Sequence, residues 1–169
     1  MRKLITHDEI VSMAKSIGDT LSDKFRDSYP VVVGVLKGAV PFHSELIKHM
    51  DIDMEVDYMH VSSYSGTAST GVVTFKKDID TDILDRDVII VEDIVDTGLT
   101  LSRLDAVLKS RKPRSITYVT MLDKPSKRKV DFTPDYIGRS IDDLFVIGFG
   151  LDLDGKYRNL KDVYVYDED

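Results

Sequence analysis

The segment Asp87 to Leu101, DVIIVEDIVDTGLTL, leaves this chain few folds to choose from. Val88, Ile89, Ile90 and Val91 form a continuous apolar run, the pattern of a strand covered on both faces, as in parallel sheets packed between helices. Glu92 and Asp93 follow at once. The turn Asp96-Thr97-Gly98-Leu99-Thr100 then leads into Leu101, Leu104, Val107 and Leu108, whose spacing predicts one buried helical face. A buried strand, two acids, a glycine turn and a helix start are joined in one short stretch.

The first backbone N–H groups of a helix lack internal partners and favour an anion, so the turn predicts a phosphate site. Gly98 allows close backbone approach, and the Thr97 and Thr100 hydroxyls can donate to phosphate oxygens. Asp96 or Thr97 as an ordinary helix cap, with Glu92 and Asp93 solvated, is the plainer alternative. The segment has neither the G-x-x-x-x-G-K-[ST] pattern nor G-x-G-x-x-G, so triphosphate loops and dinucleotide folds are not indicated. Two acids ahead of a phosphate cradle suit a ligand with a diol or a bound cation, and a ribose 5-phosphate offers both.

Charge and composition narrow the classes. The 169 residues are 42% hydrophobic and 31% charged, with a net charge of −7, which argues against general binding to nucleic acid or an anionic membrane. Cysteine is absent, removing disulfides, thiolate nucleophiles and Cys-based metal sites. His7, His43, His49 and His60 show no metal-ligand spacing and read as surface or packing residues. No signal-peptide core opens the chain and no run of about 18 apolar residues occurs, so a cytoplasmic protein is expected.

Thr6 and Glu9 form a T-x-x-E capping box ahead of Ile10, Met13, Ile17, Leu21 and Phe25, predicting that the chain opens with an amphipathic helix. Val31 to Leu36 reads as a buried strand, followed by a helix with Pro41 in its first turn and Phe42, Leu46 and Met50 inward. Ile52, Met54, Val56 and Tyr58 alternate with Asp53, Glu55 and Asp57, predicting a half-exposed strand with its acids outward. Residues Ser62 to Gly71 are small and hydroxyl-rich and read as a lid or a plain surface loop. Short strands are expected near Val72 to Phe75, Ile116 to Leu122, Tyr136 to Gly138, Leu144 to Phe149 and Val163 to Tyr166. The alternation predicts one α/β domain over 1–169, a largely parallel sheet flanked by helices. Its ligands should lie outside the carboxyl ends of the strands, which gathers Lys37, Glu92, Asp93 and Lys124 at one crevice. The run Lys127-Arg128-Lys129 reads as a solvated turn.

The form EDIVDTG-x-T resembles the phosphoribosyl-diphosphate motif of the type I phosphoribosyltransferases, and is most similar to their hypoxanthine-guanine branch. Matches run in the same order from about Val31 to Tyr166. The resemblance implies the type I phosphoribosyltransferase fold, with a core over about 31–125 and a small hood from the N-terminal segment and about 126–169. VLKG is similar to the diphosphate loop, which implies that Leu36, Lys37 and Gly38 hold the leaving group, with a Leu36–Lys37 peptide that is cis in some relatives. Ser63-Tyr64 matches the pair in the closing loop. Lys124, in MLDKPS, resembles the lysine that donates to a purine 6-oxo group. Phe145-Val146 resembles the pair whose ring stacks on the base and whose backbone reads its edge. Asp152 corresponds to a magnesium-linked acid beside the purine, and Arg158 to a diphosphate-contacting arginine. Leu99 departs from the polar residue common at its place in the phosphate turn.

These residues imply transfer of a 5-phosphoribosyl group from phosphoribosyl diphosphate to hypoxanthine or guanine, giving IMP or GMP, with Mg2+ held by Glu92, Asp93 and Asp152. Glu92 and Asp93 would grip the ribose diol, Asp96 to Thr100 the 5′-phosphate, and Asp96 would be the base toward purine N7. The partners expected are small-molecule substrates, with no nucleic acid and no membrane, in a homodimer or homotetramer. An RNA-binding regulator on the same fold would need a basic face, which this acidic chain does not offer.

Overall fold

A computed structural model describes residues 1–62 and 73–167. In chain order the elements are β1 (Arg2–Ile5), α1 (His7–Lys24), β2 (Val31–Val35), α2 (Val40–Lys48), β3 (Glu55–Ser62), β4 (Thr74–Lys77), β5 (Asp87–Val95), α3 (Leu99–Ser110), β6 (Ser115–Asp123), β7 (Tyr136–Ser140), β8 (Val146–Ile147) and β9 (Val163–Val165). Six strands form the main sheet in the order β4-β3-β2-β5-β6-β7. All its neighbours pair in parallel except β4, which runs antiparallel to β3. The expected closing-loop residues Ser63 and Tyr64 lie outside the described residues.

Period-two alternation explains why the run Val88–Val91 is apolar throughout. Ile89 and Val91 enter one core with Ile10, Leu21, Phe42 and Leu46 from α1 and α2, whereas Val88 and Ile90 enter a second core with Leu101, Leu104 and Leu108 from α3. The strand is covered on both faces, so every position in it must be apolar. Burial of one such leucine is worth about 2–5 kcal/mol against alanine.

The capping box forms as the spacing predicts: Thr6 Oγ1 accepts from Glu9 N at 3.2 Å and Glu9 Oε2 accepts from Thr6 N at 2.8 Å. A strand precedes that helix, however. β1 pairs with β9, and β9 with β8, in a separate antiparallel sheet that covers the first core with Ile5, Val146, Val163 and Val165. Four residues whose partner lies near the other end of the chain have no local signature, so the helix alone was legible. The hood is this three-stranded sheet. β7 pairs with β6, which carries the main sheet past the boundary expected near residue 125.

The alternation around β3 is also displaced. The strand begins at Glu55, and it is Asp57 that is buried while Val56 stands 43% exposed. The Asp57 carboxylate accepts from the backbone N–H groups of Tyr58, Asp80 and Thr81 and from the Thr81 hydroxyl. These hydrogen bonds outweigh the cost of burial and hold its pKa below the usual carboxylate range. A loop more than 20 residues downstream satisfies this acid, so the polar side of the sequence pattern turns inward.

Candidate active site

β2 and β5 are parallel neighbours, with Gly34 opposite Val91, so the loops that follow them open at the same edge of the sheet. The chain leaves β2 for α2 on one face and leaves β5 for α3 on the other, which makes the gap between these strands a switch point where α/β sheets bind ligands. A cleft of about 400 Å3 opens there. Leu36, Lys37 and Gly38 line one wall, Glu92 and Asp93 the floor, Asp96, Thr97, Gly98 and Thr100 the opposite wall, and Asp152 and Arg158 reach in from the hood.

A second recess of about 220 Å3 adjoins it, lined by Lys124, Phe145, Val146 and Leu151. Asp93, Ile94, Asp96 and Asp152 border both spaces. The residues expected to hold sugar, phosphate and diphosphate thus line one chamber, and those expected to hold a base line the other. Leu99 is the exception, since its side chain does not line the cleft and its N–H donates to Thr97 Oγ1 at 3.3 Å.

The turn is built by Gly98, which caps α3 at φ 78° and offers no capping side chain, so of the amides at this helix start only that of Leu99 is shown with a side-chain acceptor, Thr97 Oγ1. Neither Asp96 nor Thr97 is the cap. Gly38 matters for a different reason: a Cβ there would stand 1.8 Å from Asp93 Oδ2, so only glycine lets the chain pass this close to the carboxylate. The peptide before it, Leu36–Lys37, is cis.

Charge in the cleft is unevenly satisfied. Burial, followed by the neighbouring Asp93 charge, pushes the Glu92 carboxyl well above its ordinary value, and burial raises Asp93 as well despite hydrogen bonds and the Arg158 charge that oppose the rise. No lysine or arginine forms an ion pair with either acid among the described residues. Such a pair gains from a cation or from hydroxyl donors. Among the described residues no three acidic or imidazole groups converge into a metal cage, and Asp152 is engaged by Arg158 at 3.0 Å and by Gly155 N at 2.8 Å. This donor set fits a magnesium ion that keeps waters and takes most of its ligands from substrate oxygens.

In the second recess Lys124 is buried at 6% exposure, with Nζ 3.5 Å from Asp96 Oδ1 and 3.9 Å from Asp143 Oδ1. Asp96 Oδ1 is itself buried with no hydrogen bond, an acceptor available to an incoming N–H. Phe145 is 51% exposed and meets Tyr166 edge-on at 6.2 Å, which leaves area for a planar ring. Val146 is buried in β8. Arg158 donates to Gly150 O at 2.6 Å, fixing the hood loop against the cleft.

Two contributors were missed in the sequence. His60 lines the cleft at the end of β3, where burial and the charges of Lys76, Lys37 and Arg158 lower its pKa. Asp143 shares the Lys124 ammonium, with Lys127 Nζ at 3.2 Å on its other side. Neither carries a spacing signal, because both depend on strands brought together by the sheet.

Comparisons with known proteins agree with this geometry. A family model described as a phosphoribosyl transferase domain matches residues 6–154. The hypoxanthine-guanine phosphoribosyltransferase of Bacillus subtilis is 49% identical over 158 residues, 93% of this chain and 88% of its own length. That of Streptococcus pneumoniae is 46% identical over 167 residues, 98% and 93% of the two chains. Among solved structures, a hypoxanthine phosphoribosyltransferase from Staphylococcus aureus superposes with a TM-score of 0.95 at 42% identity, covering 98% of this chain and 91% of that one. A variant enzyme from Trypanosoma cruzi, in a ternary complex with its substrates, does so at 0.91 and 35%, covering 98% and 95%. A match that spans the strand, turn, helix and hood together leaves one assignment: the chain belongs to the phosphoribosyltransferase family, in its hypoxanthine-guanine branch.

Proposed function

We propose that this protein transfers the 5-phosphoribosyl group of phosphoribosyl diphosphate to N9 of hypoxanthine or guanine, releasing diphosphate and forming IMP or GMP in purine salvage. The observation that carries the reading is the pair of adjoining chambers with a shared acidic border, one lined by a glycine turn at a helix start and the other by a lysine and an open aromatic face. In this reading the amides of Thr97 to Thr100 hold the 5′-phosphate, and Glu92 and Asp93 accept from the ribose diol. Their negative potential favours the positive charge that develops on the ribose ring as the diphosphate departs. Leu36, Lys37, Gly38 and Arg158 receive the diphosphate.

Glu92, Asp93 and Asp152 would hold a magnesium ion, which would supply charge neutralisation of the leaving group. Asp96 takes the N7 proton of the purine. Lys124 can donate but not accept, so it favours a 6-oxo purine and opposes the 6-amino group of adenine. Phe145 stacks on the base, and Val146 and Asp152 meet its edge. Ser63 and Tyr64 are proposed to close over the reacting centre. A cytoplasmic homodimer or homotetramer is part of this proposal, and no described helix is long and apolar enough to cross a membrane.

A steady-state assay with phosphoribosyl diphosphate, Mg2+ and each of hypoxanthine, guanine, xanthine, adenine and uracil tests the reading. Turnover with hypoxanthine and guanine that stops on chelation is expected. Preference for adenine or uracil, or binding without turnover, would overturn it.

A further inference from the structure

In the run Lys127-Arg128-Lys129, whose composition predicts a solvated turn, Lys129 is exposed and Lys127 is 39% exposed, but Arg128 turns inward behind the phosphate turn. Two consecutive carbonyls of that turn are held by the run, Asp96 O accepting from Arg128 Nη1 at 2.7 Å and Thr97 O from Lys129 N at 2.9 Å, while the carbonyl before them, Val95 O at the end of β5, accepts from Lys124 N at 2.9 Å. The other arm of the Arg128 guanidinium donates to Asp123 Oδ1; the Asp123 side chain is buried and that of Arg128 is only 15% exposed. The stem of Arg128 runs beneath the glycine of the turn, since a Cβ on Gly98 would come within 2.9 Å of Arg128 Cδ.

In a trans peptide the C=O and the following N–H point in opposite directions. Pinning the carbonyls of Asp96 and Thr97 on the Arg128 side therefore turns the N–H groups of Thr97 and Gly98 the other way, and these are residues that line the cleft. The Asp96 carboxylate has little of its own to hold it, with Lys124 3.5 Å from an otherwise unbonded Oδ1. Its position is inherited from its backbone, and its backbone carbonyl ends on Arg128.

We infer that Arg128, fixed by Asp123, is a positioning residue for the transfer reaction: it aims the phosphate-binding amides and sets the place of the Asp96 carboxylate without touching substrate. This rests on the reading of Asp96 as the proton acceptor. The forked guanidinium can bridge a carboxylate and a carbonyl at once with two separate nitrogens, whereas the single nitrogen of an ammonium does not reproduce that span.

The test is a double-mutant cycle on kcat with Arg128→Lys and Asp96→Asn, together with KM for each substrate. Arg128→Lys keeps a cation beside Asp123, so the fold should persist. It is expected to lower kcat and to raise KM for phosphoribosyl diphosphate by about 10-fold each, as loss of one charge-assisted hydrogen bond predicts, and to leave KM for guanine within about 2-fold. In the Asp96→Asn background the same change should cost no further kcat. A loss that multiplies in the double variant, or an Arg128→Lys enzyme equal to wild type, would overturn the inference. If Arg128→Lys melts early, the neutral pair Arg128→Gln with Asp123→Asn carries the same cycle. An Asp96→Asn enzyme as fast as wild type would remove the base itself and is thereby told apart from failure of Arg128.

Discussion

At the start of β5, Asp87 accepts from Arg114 Nη2 at 2.6 Å, from Arg114 Nε at 3.1 Å and from Ser115 Oγ at 2.6 Å. Its pKa is held below the usual carboxylate range, chiefly by the Arg114 hydrogen bonds. Five and six positions along the strand, Glu92 and Asp93 have no cation bonded to them among the described residues, and burial pushes both upward. The two ends differ in partners, not in chemistry. Where the fold supplies an arginine, the carboxylate stabilises the native state. Where it withholds one, the carboxyls rely on the strand itself and on each other, with Asp93 Oδ1 accepting from Ile94 N at 2.7 Å. An active site on this sheet is a place where the protein leaves its own charges uncompensated, and it can do so because the apolar length of β5 between the ends is anchored in two cores.

That contrast breaks most visibly at the end of β5 proposed to carry the chemistry. Asp96→Asn should lower kcat by about 10²-fold or more if the residue accepts the purine proton, while a thermal melt stays near wild type because Asp96 Oδ1 makes no hydrogen bond in the fold. Turnover equal to wild type would remove Asp96 from the mechanism. Lys124→Ala should reduce the preference for guanine over adenine in kcat/KM by about 10-fold, the worth of one charge-assisted hydrogen bond. An unchanged ratio would assign Lys124 to Asp96 and Asp143 alone.

The structural end should respond the other way. Asp87→Ala is expected to cost about 1–2 kcal/mol in urea denaturation, a figure discounted because Arg114 is largely exposed, with kcat retained. Loss of activity in a folded Asp87→Ala protein would contradict the division of labour along β5. The smallest effect concerns pH. Asp87 has a folded pKa below its unfolded one, so its stabilisation is present above 3.8 and is lost as pH falls through the folded value. Glu92 has the opposite sign: its contribution is complete below 4.5 and is lost as pH rises through its raised folded value. The ligand-free protein should therefore melt at lower temperature as pH rises across that upper window, and Glu92→Gln should flatten the slope. A slope that Glu92→Gln leaves intact would locate the titrating group elsewhere.

Legibility in the sequence followed locality. The path from β5 through Gly98 to α3, the Thr6–Glu9 cap and the leucine face of α3 all depend on neighbours within one or two turns of chain, and each appears where spacing predicts it. β1 was invisible because its partner β9 is far along the chain, and β3 was read in the opposite phase because Asp57 is satisfied by Asp80 and Thr81. Arg128 looked like a solvated charge for the same reason: nothing near it in sequence announces the Asp96 carbonyl 32 positions earlier.

The sequence by itself determined the kind of protein this is, since a run of apolar residues ending in two acids and a glycine turn can satisfy its backbone and bury its side chains in few ways. The tertiary structure alone decided which charges are compensated. Burial and hydrogen bonding are properties of surroundings, and the same carboxyl group becomes a brace beside Arg114 or Arg128 and a buried acid without a counter-charge at Glu92 and Asp93 according to what the sheet brings next to it.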